Sequence, residues 1–194
     1  MNSPYKSPFR MTSPQGMRQI PGREPRMHTG IDLVGTDKSI YAVSNGTVVI
    51  SSIITDKTNP SWGFGSRVWI RDANNKIVCY NHLLIRKVAQ GQTVKAGDLI
   101  GVEGATGDVY PALTGVHLHF EIRDRLGVGY KNFNAYEYIG IPNQCGTYNP
   151  VAASPIDYAK LVADKADLEP QTVAYLKAYK FADDLLRKLW DAMS

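Results

Sequence analysis

The chain has 194 residues, and 43% of them are hydrophobic. This size and composition suit one compact domain with a short extension rather than two full domains. No apolar run is long enough to cross a membrane, and the polar, proline-rich residues 1–27 lack the apolar stretch of a secretion signal.

The net charge of +4 comes from the first part of the chain, where residues 1–150 carry 16 basic and 11 acidic side chains. A mild basic excess favours a polyanionic partner, either nucleic acid or the anionic polymers of a bacterial wall, although dispersed charge also suits an ordinary solvated surface. Cys79 and Cys145 lie far apart and outside any paired ligand spacing. We therefore expect two free thiols, and neither a disulfide framework nor a cysteine zinc site.

The first segment with candidate metal-binding side chains is His28-Thr29-Gly30-Ile31-Asp32. Leu33 and Val34 follow it, which indicates a loop that enters a β-strand rather than a helix. A fully extended backbone would place the Cα atoms of His28 and Asp32 about 13 Å apart, too far for both to bind one ion. We therefore expect the chain to bend at Gly30, which has the conformational freedom to do so.

Residues 40–122 alternate short β-branched and aromatic runs with glycine or Asx turns, a pattern typical of an antiparallel, mostly β domain. The Asn45-Gly46 pair predicts a hairpin between residues 39–43 and 47–51. A second hairpin is predicted between residues 66–71 and 76–80. Tyr80, at the end of that hairpin, could line a groove or pack in the core, and both interpretations stay open.

A loop at residues 104–115 precedes a predicted strand at residues 116–123. Strict alternation places the apolar residues of this strand on one face and His117, His119 and Glu121 on the other. Two imidazoles about 7 Å apart on one strand face can both approach a single metal ion. Glu121 lies one step further along, so we expect it to support a ligand or to form a salt bridge rather than to bind the metal itself.

After residue 127 glycine and proline become frequent, and we place a domain boundary near residue 150. Beyond it, apolar residues recur at steps of three and four, which predicts an amphipathic helix opened by Pro170, after a shorter helix within residues 156–165. The apolar stripe consists of Tyr175, Tyr179, Ala182, Leu186, Leu189 and Met193. The predicted fold is a mostly β, antiparallel domain with a groove over residues 1–150, followed by a short helical extension over residues 151–194.

Five side chains are candidates for one metal site: His28, Asp32, His82, His117 and His119. Neutral imidazoles with one carboxylate suit tetrahedral Zn²⁺, and a catalytic site needs three protein ligands plus an open position for water. Spacing alone does not select three ligands among the five. Each histidine taken singly could also be an ordinary polar residue at a strand end or in a loop, but two imidazoles on one strand face weaken that interpretation.

Four ordered motifs resemble the lysostaphin-type (LytM-like) zinc metallopeptidases, which cleave cross-links or bridge peptides of peptidoglycan. The resemblance covers about residues 9–123. The motifs are Thr12-Ser13-Pro14-Gln15-Gly16-Met17-Arg18, His28-Thr29-Gly30-Ile31-Asp32, Tyr80-Asn81-His82-Leu83 and His117-Leu118-His119-Phe120-Glu121.

The resemblance implies that His28, Asp32 and His119 bind Zn²⁺ and that His82 and His117 are catalytic. In this assignment His117 is the general base and later the acid, and His82 donates a hydrogen bond to the developing oxyanion, although the two roles could be exchanged. The expected activity is zinc-dependent endopeptidase action on bacterial peptidoglycan. Anionic wall polymers are possible further partners, and we expect no nucleic acid and no membrane span.

The implied biological setting is a bacteriophage lytic enzyme. A chain with neither a secretion signal nor a propeptide suits an enzyme that is made in the cytoplasm and reaches the cell wall by release at lysis or on a virion. The sequence departs from the family by an insertion at residues 108–113, which we expect to border the substrate groove. Oligomeric state and the bond that is cut stay open.

Two alternatives belong to other functional classes. A catalytically inactive wall-binding or assembly module of the same fold would need no catalytic set, and the intact five-residue set argues against it. A nucleic-acid-binding β domain is suggested by the basic balance and by Trp62, Trp69 and Tyr80, but interleaved basic and aromatic residues are too sparse to favour it.

Overall fold

The computed structural model describes residues 3–19, 24–109 and 115–150, together with residues 162, 166–172, 174, 185, 188 and 189. The chain divides into two compact units, Met1–Ala152 and Ala153–Ser194. The first unit includes a 3-10 turn at Trp62–Phe64 and a short helix, α1, at Ala135–Tyr138. Its strands are β1 (Phe9–Ser13), β2 (Gly16–Arg18), β3 (Arg26–His28), β4 (Ile31–Gly35), β5 (Ser39–Tyr41), β6 (Gly46–Ile53), β7 (Ser66–Asp72), β8 (Ile77–Asn81), β9 (Ile85–Arg86), β10 (Thr93–Val94), β11 (Leu99–Val102), β12 (Leu118–Arg123), β13 (Asn132–Phe133) and β14 (Gly146–Tyr148).

The strands form one large sheet and two small ones. The large sheet has the order β10-β6-β7-β8-β12-β4-β1-β14, with β13 added beside β12. The small sheets are β5-β11-β9 and the pair β2-β3. All the described pairings between these strands are antiparallel, which confirms the predicted fold class.

Strand β12 lies at the centre of the large sheet, between β8 and β4. Its alternating residues Leu118, Phe120 and Ile122 are fully buried, together with Ile31 and Leu33 of β4. Burial of each such side chain contributes about 1.5–3 kcal/mol relative to its exposure. The apolar face of β12 thereby anchors the strand whose other face carries His119.

The predicted hairpin between residues 66–71 and 76–80 is confirmed, because β7 pairs with β8 in the register that joins Val68 to Tyr80. The hairpin predicted around Asn45-Gly46 is wrong: β5 pairs with β11 in a small sheet, whereas β6 pairs with β7 and β10. Neither Asn45 nor Gly46 has the positive φ that a type I′ turn requires. Glycine is needed at position 46 because a Cβ there would lie 2.3 Å from the Arg71 carbonyl oxygen.

Tyr80 is a core residue rather than a groove residue. It is fully buried and packs edge-on against Phe120, with ring centroids 5.4 Å apart. Its hydroxyl oxygen accepts a hydrogen bond from the backbone N–H of Val43 at 2.8 Å. Cys79 is buried and Cys145 is exposed, and both are free thiols, as expected.

The described residues of the second unit are helical at positions 162, 166, 170–172, 174, 185, 188 and 189. Pro170 is among them, at the start predicted for the longer helix. Of the predicted apolar stripe only Leu189 belongs to the described residues; Tyr175, Tyr179, Ala182, Leu186 and Met193 lie outside them. In the part of the chain that is described, no helix has both the length and the apolar character needed to cross a bilayer.

Candidate metal centre

His28 and Asp32 lie on two strands that meet at a tight bend. His28 ends β3 and Asp32 is the second residue of β4, with Gly30 between the strands. The bend was expected, but its cause differs from the expectation. Gly30 does not adopt a positive φ; a Cβ at this position would lie 2.2 Å from the Phe120 carbonyl oxygen, so glycine is required for close packing against β12.

His119 is placed opposite Asp32 by the sheet register. β12 pairs with β4 so that His119 is the direct partner of Asp32. Side chains at such paired positions have Cβ atoms about 4.5–5.5 Å apart on the same face of the sheet. The alternation that buries Leu118 and Phe120 therefore turns His119 toward Asp32.

Three acceptor atoms of these side chains converge. His28 Nε2 and His119 Nδ1 each lie 3.0 Å from Asp32 Oδ1, and the two nitrogens are 3.0 Å from each other. The other ring nitrogen of each histidine has its own acceptor: His28 Nδ1–H donates to the Pro14 carbonyl oxygen at 2.8 Å, and His119 Nε2–H donates to Glu121 Oε2 at 3.3 Å. When both imidazoles are neutral in these tautomers, their lone pairs and the carboxylate oxygen face one position, which suits a cation. In the metal-free protein a proton on His119 Nδ1 links that ring to Asp32 Oδ1 instead.

The donor set fits a metal ion by type as well as by position. The ligand atoms of His28, Asp32 and His119 all lie within 4.8 Å of one another, and all three residues are buried. Two imidazole nitrogens and one carboxylate oxygen form a three-ligand set that leaves one tetrahedral position open. The hydrogen bonds to Pro14 and Glu121 orient the imidazoles, as partners of metal-binding histidines usually do.

His82 and His117 lie beside this set. Their ring centroids are 4.8 Å apart, and the ring of His82 is 5.8 Å from that of His119. His117 Nε2 lies 3.5 Å from Asp32 Oδ1. His117 precedes β12 instead of belonging to it, contrary to the predicted strand start at residue 116, and it forms an isolated bridge with Gly104.

The backbone of His82 is held in an uncommon conformation, with φ of 65°. For a residue other than glycine this left-handed conformation costs on the order of 1–3 kcal/mol. Two hydrogen bonds hold it in place: the backbone N–H donates to the Phe64 carbonyl oxygen at 3.0 Å, and the ring Nδ1–H donates to the Thr106 carbonyl oxygen at 2.8 Å. In this conformation the ring of His82 lies beside those of His117 and His119.

The ionisation of the site follows from burial and hydrogen bonding. Burial, with the nearby rings of His119 and His117, lowers the pKa of His82 to about 3. Burial also lowers the pKa of His28. For Asp32 and His119 burial opposes the charged form, but their mutual hydrogen bond and the bonds to His28 and Glu121 outweigh it; the pKa of Asp32 is held well below its usual value, and the pKa of His119 is raised to about 9.

Asp32 is also held by hydrogen bonds from residues to which the sequence analysis assigned no role. Arg18 donates to Asp32 Oδ2 at 2.8 Å and to Ser13 Oγ at 2.6 Å. The Oδ2 atom is thereby occupied, and Oδ1 is left to face the two histidines. Arg18, Ser13 and Pro14 all belong to the first of the four sequence motifs. The motif marked these residues but did not indicate that they contact Asp32 and His28.

A groove of about 250 Å³ opens above the five predicted site residues. His28, Asp32, His82, His117 and His119 all line it. Its rims include Arg26 of β3 and Asp108, whose charged atoms are 3.6 Å apart. Asp108 and Val109 belong to the predicted insertion and line the groove as expected, whereas residues 110–113 lie outside the described part of the chain.

The chain has relatives among known proteins. The sequence profile of Peptidase family M23 matches residues 26–133, a range that includes all five site residues. Peptidoglycan DD-endopeptidase ShyC of Vibrio cholerae is 34% identical over 110 residues, which are 56% of this chain and 23% of that protein. Endolysin 2638A of Staphylococcus phage 2638A is 31% identical over 101 residues, 50% of this chain and 19% of that protein. The matched region thus spans less than a quarter of either relative.

The fold is also similar to solved structures. The catalytic domain of a mutant of the prophage-encoded M23 protein EnpA from Enterococcus faecalis superposes with a TM-score of 0.52 and 30% identity. The superposition covers 68% of this chain and 92% of the EnpA domain.

Proposed function

The chain belongs to peptidase family M23, and on this basis we propose that it is a zinc-dependent endopeptidase that hydrolyses peptide bonds in bacterial peptidoglycan. The observation that carries the proposal is the convergence of His28 Nε2, Asp32 Oδ1 and His119 Nδ1, with 3.0 Å between each pair of atoms. In this proposal residues 1–150 form the catalytic domain, and residues 151–194 form a helical extension.

His28, Asp32 and His119 would hold the zinc ion, with Asp32 bound through Oδ1. When bound, zinc polarises the scissile carbonyl and lowers the pKa of a water molecule toward neutrality. The chain supplies the rest of the chemistry. Arg18 holds Asp32 Oδ2, and the Pro14 carbonyl and Glu121 hold the two imidazoles, so the ligand atoms need little reorganisation.

His117 is the proposed general base. Its Nδ1–H donates to the Gly115 carbonyl oxygen, so Nε2 carries the lone pair, and Nε2 faces the metal set at 3.5 Å from Asp32 Oδ1. It can therefore accept a proton from the attacking water and later return it to the leaving amine.

His82, like His117, carries its proton on Nδ1. For this reason we propose a role for His82 that differs from the one expected from the sequence. Its Nδ1–H is bound to Thr106, and the pKa of about 3 keeps the ring neutral, so Nε2 can accept a hydrogen bond but not donate one. The resting ring is therefore unsuited to donate to an oxyanion. We propose instead that His82 Nε2 accepts a hydrogen bond from the O–H of the attacking water that is not broken, which orients the water lone pair, while His117 takes the one transferred proton.

Peptidoglycan is the proposed substrate because ShyC, by name, is a peptidoglycan DD-endopeptidase. The basic excess of residues 1–150 would favour anionic wall polymers near the substrate. A phage origin is supported by the phage endolysin and the prophage-encoded EnpA among the relatives. In that setting the enzyme would reach the wall at lysis or on a virion.

The test measures amino groups released from purified bacterial walls. We expect release by the zinc-loaded protein, loss of release after chelation, and recovery when zinc is restored. His117→Ala should retain about one zinc per chain yet lose about 100- to 10,000-fold of the turnover, the usual contribution of a general base. Undiminished release by fully metal-stripped protein would refute the proposal, and mass spectrometry of the fragments would identify the bond that is cut.

A further inference from the structure

Arg123, the last residue of β12, is a charged side chain in the protein interior, with 1% of its surface exposed. Three aromatic rings surround its guanidinium group: Cζ lies 3.8 Å from the ring centroid of Tyr130, 4.4 Å from that of Trp69 and 4.8 Å from that of Phe64. A buried charge is costly unless it is paired and hydrogen-bonded. Its contacts connect it to two residues of the site, His119 and His82, each through one intermediate residue.

On one side Arg123 holds the partner of His119. Its Nε and Nη2 donate to the two carboxylate oxygens of Glu121 at 2.7 and 2.9 Å. Asn132 donates to the same carboxylate, and the remaining contact of Glu121 is with His119 Nε2 at 3.3 Å. The forked contact fixes the plane of the carboxylate, which in turn fixes the ring that directs Nδ1 at Asp32.

On the other side Arg123 packs against the residue that holds His82. The ring of Phe64 contacts the guanidinium group, and the backbone carbonyl oxygen of Phe64 accepts the hydrogen bond from the His82 N–H at 3.0 Å. Phe64 and His82 line the groove. Arg123 itself lies behind the groove wall.

We propose that Arg123 is a positioning residue that fixes the rings of His119 and His82 relative to each other. It acts on His119 through Glu121 and on His82 through Phe64. The inference rests on the proposed function, since it gives His119 the role of a zinc ligand. Loss of a partner of this kind typically weakens metal binding or activity 10- to 100-fold. Because Arg123 does not line the groove, its effect should fall on zinc affinity and kcat, and KM should change less than threefold.

Arg67 offers a matched control. Its guanidinium Cζ lies 4.7 Å from the ring centroid of Trp69 and 5.9 Å from that of Phe64, so it stacks on two of the same rings. The hydrogen bonds to Glu121, however, come from Arg123, Asn132 and His119. A change at Arg67 therefore tests stacking, and a change at Arg123 tests stacking together with the link to Glu121.

The experiment compares Arg123→Lys with Arg67→Lys in the chain of 194 residues. Lysine keeps the positive charge but loses the planar fork. Three quantities are measured for each: the zinc dissociation constant by competition with a chromophoric chelator, the melting temperature of the metal-free protein, and kcat and KM on soluble wall fragments. We expect both variants to melt earlier, and only Arg123→Lys to bind zinc 10- to 100-fold more weakly.

Equal zinc affinity and kcat in the two variants would overturn the inference. If Arg123→Lys does not fold, Glu121→Gln decides, because it keeps an amide oxygen as acceptor for His119 but loses the charged fork. The same weakening of zinc binding is expected there, and wild-type affinity would overturn the inference. Failure of the wild-type protein to bind zinc would instead overturn the proposed function, and this inference with it.

Discussion

Replacement of Gly30 with alanine should disrupt the metal centre through a steric clash rather than through lost flexibility. The new Cβ would lie 2.2 Å from the Phe120 carbonyl oxygen, whereas real Cβ contacts essentially never fall below 3.0 Å. β4 and β12 must therefore separate by about 0.8 Å, the difference between these two distances. Overpacking of this kind costs about 1–3 kcal/mol, which corresponds to a fall in Tm of roughly 2–12 °C for a chain of this size.

The same displacement separates Asp32 from His119, because these residues face each other across the two strands. A misplacement approaching 1 Å can reduce activity about 100-fold. Differential scanning calorimetry and zinc titration of Gly30→Ala would measure both effects. Gly146→Ala is the control, since its Cβ would meet its nearest neighbour at 3.5 Å, an ordinary contact. If Gly30→Ala matches Gly146→Ala in both Tm and zinc affinity, the steric reasoning is refuted.

Two further outcomes are expected. Tyr80→Phe should lower the free energy of unfolding by about 1–3 kcal/mol, because the buried N–H of Val43 loses its acceptor. Wall hydrolysis should stay at the wild-type rate. A loss of hydrolysis without a loss of stability would show instead that Tyr80 acts in the groove. Zinc affinity should rise with pH. With a pKa of about 9, metal-free His119 holds a proton that zinc must displace, so the apparent affinity should increase about tenfold per unit between pH 6 and 8, and hydrolysis should decline below about pH 6. Chelator competition at three pH values measures this slope, and a pH-independent affinity would contradict it.

The sequence predicted the parts of the site that depend on periodicity. Alternation along residues 118–122 correctly placed Leu118 and Phe120 in the apolar core and His119 and Glu121 on the opposite face, where their side chains contact each other. Val116 is exposed and precedes the strand, contrary to the predicted start at residue 116. The distance limit on an extended chain correctly required a bend between His28 and Asp32. Both predictions need only local geometry, which is why they succeed without knowledge of the neighbouring strands.

The errors arose where distant segments decide local structure. Asn45-Gly46 has the composition of a hairpin turn, but the carbonyl of Arg71 and the N–H of Ala96 determine its conformation. Gly30 is required by Phe120, which lies 90 positions further along the chain. The role expected for His82 stays a prediction. Its tautomer depends on the distant Thr106 carbonyl, and a sequence motif gives no information about which ring nitrogen carries the proton.

The most direct test of the metal centre is an anomalous difference map from crystals grown with Zn²⁺ and measured at the zinc absorption edge. We expect one strong peak about 2.0–2.2 Å from His28 Nε2, Asp32 Oδ1 and His119 Nδ1, the usual distances for zinc with nitrogen and oxygen ligands. A well-ordered map without a peak there, with the three side chains turned away from one another, would contradict the proposed zinc site.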